Sequence, residues 1–334
     1  MPRSDLTDHG TPGRRPPVDL SPLPAADGED DDDDIVALPL RHTWRWVAAG
    51  VLGLGFVWLA SSLWNNKNVD HGTIANFMFS DQIVHGAVLT IVLTFLAMVL
   101  STILGVVLAL MRLSSNPVLS GLAWLYIWVF RGTPLLVQIV FWGYLGLLYK
   151  QISLGVPFTD FTVFAVDTNT LIPAFVAGVI ALTTNQAAYT AEIVRAGMLS
   201  VDPGQKEAAY SLGMTPLFCL LKVELPQAMR VIIPPMGNET ISMLKDTALL
   251  SLIAVLELYT VAERISAQNL RQVELLVVVS CWYLVLTSVL SVPQYYLERR
   301  FGRGSRVLGP TPIGRVVALL RRQPKPRVTD KESL

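Results

Sequence analysis

Between Gly86 and Met111 the chain runs through 26 residues without one charged side chain, and nothing else constrains its fold so strongly. A bilayer core of ~30 Å is crossed by about 20 mostly apolar residues in a helix, so such a run reads as a membrane span. Five more runs follow the same rule. Trp44–Trp64 has Arg45 at its edge and tryptophan at both ends, as interfacial belts prefer. Leu119–Tyr149 is too long for one straight crossing at ~1.5 Å per residue. It is interrupted by Arg131-Gly132-Thr133-Pro134, where the proline must break the helical ladder. Leu171–Ile193 closes on AEIVRAG, Met236–Leu256 carries Lys245-Asp246 near its middle, and Leu275–Tyr296 leads into LERRFGRGSR. The fold class expected is all-α: a polytopic membrane protein of about six transmembrane helices. Composition agrees, with 52% hydrophobic and only 16% charged residues, where a soluble chain carries nearer ~25% charged.

The zero net charge hides a polarity. Residues 1–40 hold three Lys/Arg against ten Asp/Glu, including the block Glu29–Asp34, and residues 298–334 hold ten against three. Both tails are expected to be largely disordered and solvated. The domain reading is an acidic tail over 1–40, a transmembrane helix over 41–66, a five-helix core over 82–300 and a basic tail over 301–334. The first apolar run begins behind forty polar residues, which does not fit a cleaved secretory signal, so it is expected to be a retained anchor. The stretch RVVALLRRQPKPR is read as a solvated tail rather than one lying on inner-leaflet lipid.

Six spans place both tails on one side, and basic residues choose the side. With the N-terminus inside, the inner loops and margins hold Arg41, Arg45, Arg112, Arg195, Lys206, Lys222 and Arg230. The outer ones hold Lys67, Lys150, Arg264 and Arg271. Both termini and the 194–235 loop are therefore expected in the cytoplasm.

That loop is punctuated like a pair of short helices. Asp202-Pro203 reads as an N-cap with proline at the first helical position, and Gln205 falls where a capping box would put it. Gly213 suits a left-handed C-cap. Thr215-Pro216 repeats the start signal and Pro226 is expected to end the second helix. Spacing alone leaves two readings open: a hairpin packed on the protein's own helices, or a surface for a partner.

Other chemistry is not indicated. There is no GxxxxGK[ST] phosphate loop. The four histidines, His9, His42, His71 and His85, give no metal spacing, and Cys219 and Cys281 suggest neither a disulfide framework nor a thiol metal site. No short-period repeat or inverted duplication appears, which weighs against a secondary carrier built on such repeats.

The motif Glu207-Ala208-Ala209, three residues, Gly213, nine residues, Val223, one residue, Leu225-Pro226 resembles the EAA loop of ABC-importer permeases. Valine stands where isoleucine is commoner. FRGTPLLVQ (130–138), NQAAYTAEIVRAGM (185–198), DPGQKEAAYSLG (202–213) and LKDTALLSLIAV (244–255) are similar to the permeases for polar amino acids, the branch with histidine, glutamine and arginine importers. The resemblance covers about residues 82–300. It implies a type I ABC-importer permease fold, with 196–235 as the coupling loop that docks on an ATP-hydrolysing subunit. Glu207, Ala208, Ala209, Gly213, Leu225 and Pro226 are then the coupling residues. Family members have five core spans and an outside N-terminus, so the first span and the tails look like additions.

An ionisable group in lipid costs roughly 2.5–3.5 kcal/mol on insertion scales and should face a partner or a cavity. Arg131, Glu192, Lys245 and Asp246 are such groups. Lys245 and Asp246 are adjacent, point to different faces and do not simply neutralise each other. Asn185 and Gln186 suit interhelical hydrogen bonds. The resemblance implies a translocation pathway among these segments, and Arg131, Thr133, Asn185, Glu192 and Asp246 are its candidates.

What the resemblance implies is the membrane-spanning subunit of an ATP-dependent importer for polar amino acids, in the cell membrane. The partners are a cytoplasmic ABC ATPase dimer carrying the ATP and Mg, a second permease subunit of the same or a similar chain, and an extracytoplasmic binding protein. No cofactor is expected on this chain, no catalysis of its own and no nucleic-acid partner. The alternatives are another small polar solute, such as a quaternary amine, or a secondary carrier or channel using Lys245 and Asp246 for ion coupling.

Overall fold

A computed structural model describes residues 43–155 and 162–301. The expectations for residues 1–40 and for the tail after Phe301 fall outside the described residues. The chain divides into two compact units near Ser62. The first is represented by α1, Thr43–Trp64, whose sequence is apolar on every face.

The second unit opens with α2, His71–Met78, capped by Asp70, whose carboxylate accepts from Gly72 N at 2.9 Å. The long α3 runs Asp81–Leu113. Helix α4, Pro117–Gly132, has Asn116 as its cap and proline in its first turn. It turns through 99° into α5, Leu135–Gly143, followed by the single turn α6, Leu145–Leu148. Strands β1, Gln151–Gly155, and β2, Thr162–Asp167, pair antiparallel, and Asp167 then caps α7, Thr168–Leu171. Next come α8, Ala174–Leu199, α9, Pro203–Ser211, and α10, Pro216–Cys219. A π-helical stretch, Leu220–Glu224, passes into α11, Leu225–Asp246. A 3₁₀ segment, Thr247–Ile253, closes on Ala254 in the left-handed region (φ 58°). Two further helices follow: α12, Leu258–Asn269, and α13, Gln272–Phe301.

The six apolar runs map onto these elements unevenly. By length and composition α3 and α13 each suffice to cross a membrane, and the bent pair α4–α5 passes when taken together. Helices α8 and α11 are long enough, at ~1.5 Å per residue, but carry the polar groups Asn185, Gln186, Glu192, Glu239, Lys245 and Asp246. The apolar part of α1 is Val47–Ser62. Not foreseen were α2, the β1–β2 hairpin, the short α7 and α12.

The loop expected over 196–235 is shorter in the structure. Helix α8 continues to Leu199 and α11 begins at Leu225, so the 196–235 loop narrows to about 200–224. Pro226 does not end the second helix. The π turn lets Leu225 N reach back five residues to Leu220 O, and the helix then passes through Pro226, whose missing N–H it tolerates at the first turn.

The packing is built on small residues. Ala97, Ala177, Ala181 and Leu182 share a fully buried cluster with Leu93 of α3 and Ile139 of α5. A second cluster joins Ile83 and Ala87 to Leu258, Leu275 and Val278, and a third joins Ala109, Ala123, Ala187 and Ala191. Without a hydrophobic drive inside lipid, helices associate where small side chains let backbones approach. Gly105 shows the limit: a Cβ there would stand 2.6 Å from the Thr190 side chain and 3.0 Å from the Ala187 carbonyl.

Candidate functional site: a helical loop, a broken helix and the charges beside it

The α9–α10 loop is capped much as its sequence indicates. Asp202 accepts from Gly204 N at 2.7 Å and Thr215 accepts from Phe218 N at 3.4 Å. At the end of α9, Gly213 N donates to Tyr210 O (2.9 Å) and Met214 N to Ala209 O (3.1 Å). That pair of bonds is the Schellman closure, and it requires the observed left-handed Gly213, φ 78°. The capping-box bond from Gln205 is not formed among the described residues; its backbone N donates to Asp202 O instead.

Of the residues expected to serve coupling, Glu207, Ala208, Gly213 and Pro226 are exposed, Leu225 is partly covered, and Ala209 faces inward at 3% exposure. Inside the loop, a half-exposed Lys206 reaches the largely covered carboxylate of Glu224 at 3.4 Å. Cys219 is buried and its thiol contacts Glu224 at 3.6 Å; burial, then that carboxylate, raise it above its ordinary pKa. The outer face is apolar: Leu212 is 84% exposed, with Leu217, Phe218 and Leu221 beside it, all about half exposed or more. The loop thus presents an unpartnered apolar surface on a rigid, doubly capped base.

At the α4–α5 break, Pro134 is the residue whose N–H would have served Phe130 O four positions back. Two amide side chains replace it. Gln138 Nε2 donates to Phe130 O at 2.9 Å and to Thr133 Oγ1 at 2.8 Å, while Asn185 Nδ2, from α8, donates to Phe130 O at 3.1 Å. Thr133 turns its hydroxyl to Val129 O at 2.9 Å. Helical backbone can break at membrane depth only when such partners re-satisfy it.

The pathway candidates separate into three places. Arg131 and Glu192 line one cleft of about 480 Å³, together with Arg112, Tyr189 and Arg195. Glu192 is held by Arg195 through bonds of 2.7 and 3.2 Å, and Arg131 lies over the Tyr189 ring at 5.2 Å. Asn185 and Thr133 belong to the break. Asp246 stands elsewhere, half-buried at the end of α11, with Lys245 turned outward. Neither forms an ion pair among the described residues. Glu239 lies two turns before Asp246 on the same face and accepts from Gln186 Nε2 at 3.0 Å.

Besides Glu274, buried at the start of α13, two acids nearer the site escaped the reading of the sequence. One is Glu239. The other is Glu257, fully buried, which accepts from Thr260 N (2.7 Å), Tyr259 N (2.9 Å) and the hydroxyls of Thr260 (2.8 Å) and Tyr283 (3.1 Å). It caps α12 from within and ties it to α13. No group of three or more His, Cys, Asp or Glu suited to a metal occurs among the described residues.

Residues 101–303 match the family described as the binding-protein-dependent transport system inner membrane component. The chain is 47% identical over 272 residues to the arginine transport system permease protein of Corynebacterium glutamicum, spanning 81% of this chain and 84% of that one. It is 40% identical over 219 residues to the L-cystine transport system permease protein of Bacillus subtilis, spanning 65% and 86%. Among solved structures, an amino acid ABC transporter crystallised with histidines superimposes with a TM-score of 0.59 at 37% identity, spanning 70% of this chain and 99% of that one.

Proposed function

Because the chain belongs to the family of binding-protein-dependent transport system inner membrane components, we propose that it is the membrane-spanning permease of an ATP-driven importer for polar amino acids. Relatives named for arginine and L-cystine transport, and the amino acid transporter structure, support that substrate class. ATP hydrolysis belongs to a separate subunit, with ATP and Mg on that partner, and substrate arrives on an extracytoplasmic binding protein. Two permease chains, identical or similar, form the membrane core.

One observation carries this reading. The α9–α10 loop pairs a fixed, capped scaffold with exposed Leu212, Leu217 and Phe218, a surface suited to a groove on another protein. Large exposed apolar side chains outside lipid mark an interaction site. The loop then acts as a rigid lever: closure of the ATPase pair pushes α9 and α10, and α8 and α11, to which they are directly joined, tilt. The basic-residue bias supports a cytoplasmic placement for this loop and both termini.

For the pathway, the seam of α8 and α11 is favoured. Gln186, Glu239 and Asp246 give it polar, anionic character without a matching cation among the described residues. Asn185 and Thr133 shape the break beside it.

The test is reconstitution with the ATPase and the binding protein. Uptake of labelled arginine, glutamine or cystine should require ATP and the binding protein, and a quaternary amine should not compete. Uptake that persists without either partner would place the chain among secondary carriers. A cysteine probe at Ser211 should be unreachable from outside while one at Gln151 is labelled; the reverse would overturn the loop's role. Asp246→Asn should impair uptake and leave assembly with the ATPase intact. Normal uptake with reduced assembly would make Asp246 a structural bridge instead.

A further inference from the structure

The cleft between α3, α4 and α8 holds three arginines and one acid. Arg195 takes both carboxylate oxygens of Glu192, at 3.2 and 2.7 Å. That leaves Arg112, which donates to the Ser120 hydroxyl at 2.8 Å, and Arg131, which rests on the Tyr189 ring. Neither forms an ion pair among the described residues. Both stand within electrostatic reach of Glu192, so the group as a whole carries uncompensated positive charge. Arg112 lies in the last turn of α3, and Arg195 close to the end of α8, so the cleft opens at the end of the bundle where the α9–α10 loop begins and runs inward to Arg131, in the last turn of α4.

Its outer wall is not polar. Trp124 and Trp128 stack in parallel, ring centroids 6.1 Å apart, and both are more than half exposed. Beside them, Leu122 and Leu125 continue an exposed apolar face along α4. A small polar solute has little use for such a wall. A molecule with an anionic head and hydrocarbon tails fits both halves of it. Basic pockets between spans at the cytoplasmic side bind phospholipid headgroups, and tryptophan prefers the interfacial level.

We propose that this cleft binds the phosphate of an anionic phospholipid, held by Arg112 and Arg131 with the acyl chains laid over Trp124 and Trp128. Glu192 keeps Arg195 out of the contact and sets the floor of the site. The proposal is independent of which amino acid the transporter carries.

The test uses the full permease with its ATPase in nanodiscs that contain dibrominated phosphatidylglycerol or dibrominated phosphatidylcholine. Bromine quenches nearby tryptophan, and subtracting a Trp124→Phe/Trp128→Phe variant isolates these two. Phosphatidylglycerol should be enriched at the pair on the order of 10-fold over phosphatidylcholine. Arg112→Gln/Arg131→Gln should abolish that preference, and Arg112→Lys/Arg131→Lys, which keeps the charge, should retain it. Unchanged elution of the complex on size exclusion checks the fold. Equal quenching by both lipids would overturn the proposal, as would a preference that survives the Gln pair or is lost equally in the Lys pair. Displacement of the quencher by millimolar inorganic phosphate would assign the cleft to a free anion. Displacement by an amino acid substrate would assign it to the transport path.

Discussion

Replacing Gly213 tests whether the angle between α9 and α10 matters to docking. A Cβ at Gly213 would meet nothing within 4 Å, so no substitution there is opposed by a clash. The cost comes from the backbone, because φ is 78° and a β-branched residue held in that region is strained by about 1–3 kcal/mol. The alternative is to leave the left-handed region and give up the bonds from Gly213 N and Met214 N, each contributing roughly 0.5–1.5 kcal/mol. The chain takes the cheaper route, so Gly213→Val costs about 2 kcal/mol either way. If the native loop angle is what the ATPase binds, binding restores the strain, so affinity falls by that strain less what the relaxed turn has already given up: at most about 2 kcal/mol, a complex up to about 30-fold weaker. Gly213→Asn should lose much less, because asparagine tolerates the left-handed region, and Gly213→Ala should fall between them. The assay is titration of detergent-solubilised permease with its purified ATPase, with insertion checked by yield from membranes. Equal affinity across glycine, asparagine, alanine and valine would refute the argument. So would equal weakening in all three variants, since bulk at the surface rather than backbone conformation would then be responsible.

Other consequences can be measured more simply. Gly105→Ala drives a methyl into Thr190 across the α3–α8 seam and should destabilise the permease by about 1–3 kcal/mol, read as a lowered melting temperature in detergent. Gln138→Leu and Asn185→Leu each leave Phe130 O one donor, so the single variants should be mild. The double variant leaves a buried carbonyl unmet and should cost about 1–3 kcal/mol more than their sum; simple additivity in thermal melts would contradict this. Asp70 caps α2, and its carboxylate lies below its ordinary pKa of 3.8, chiefly through the Thr73 hydroxyl and then Gly72 N. A depressed folded-state pKa gives stability that is present above the unfolded value and lost as pH falls through the folded one. Order in α2 should therefore fade below about pH 4. Trp64, stacked on His71 at 4.4 Å, reports it by fluorescence in a variant with the other tryptophans removed, and Asp70→Asn should flatten the profile.

What could be read from the sequence was whatever local chemistry decides. The caps Asp202-Pro203 and Thr215-Pro216, the left-handed Gly213 and the break at Pro134 need only neighbours within a few residues, and each stands where its sequence indicated. Pro226 misled because the π turn before it supplies a geometry that no single-residue preference encodes. Glu257 was invisible for a different reason. Its capping bonds to Tyr259 and Thr260 are local, but glutamate is not among the favoured cap residues, and the partners that hold it buried, Tyr283 and Thr90, are 26 and 167 residues away.

The polar groups of the spans show how far such reading can go. Pro134 announces that Phe130 O has lost its donor, but not that Gln138 and Asn185 replace it. Once those bonds are known, Asn185 is accounted for by the backbone it repairs, and Glu192 by Arg195. Burying a polar group in an apolar phase is costly unless it is paired, so each satisfied group has a structural reason to be there. Charges without a counter-ion are less fully accounted for. Asp246, Arg112 and Arg131 keep charges that no ion pair among the described residues neutralises. They are therefore the positions where a transported solute or a lipid has the most to contribute, and where substitution should alter transport or lipid preference before it alters the fold.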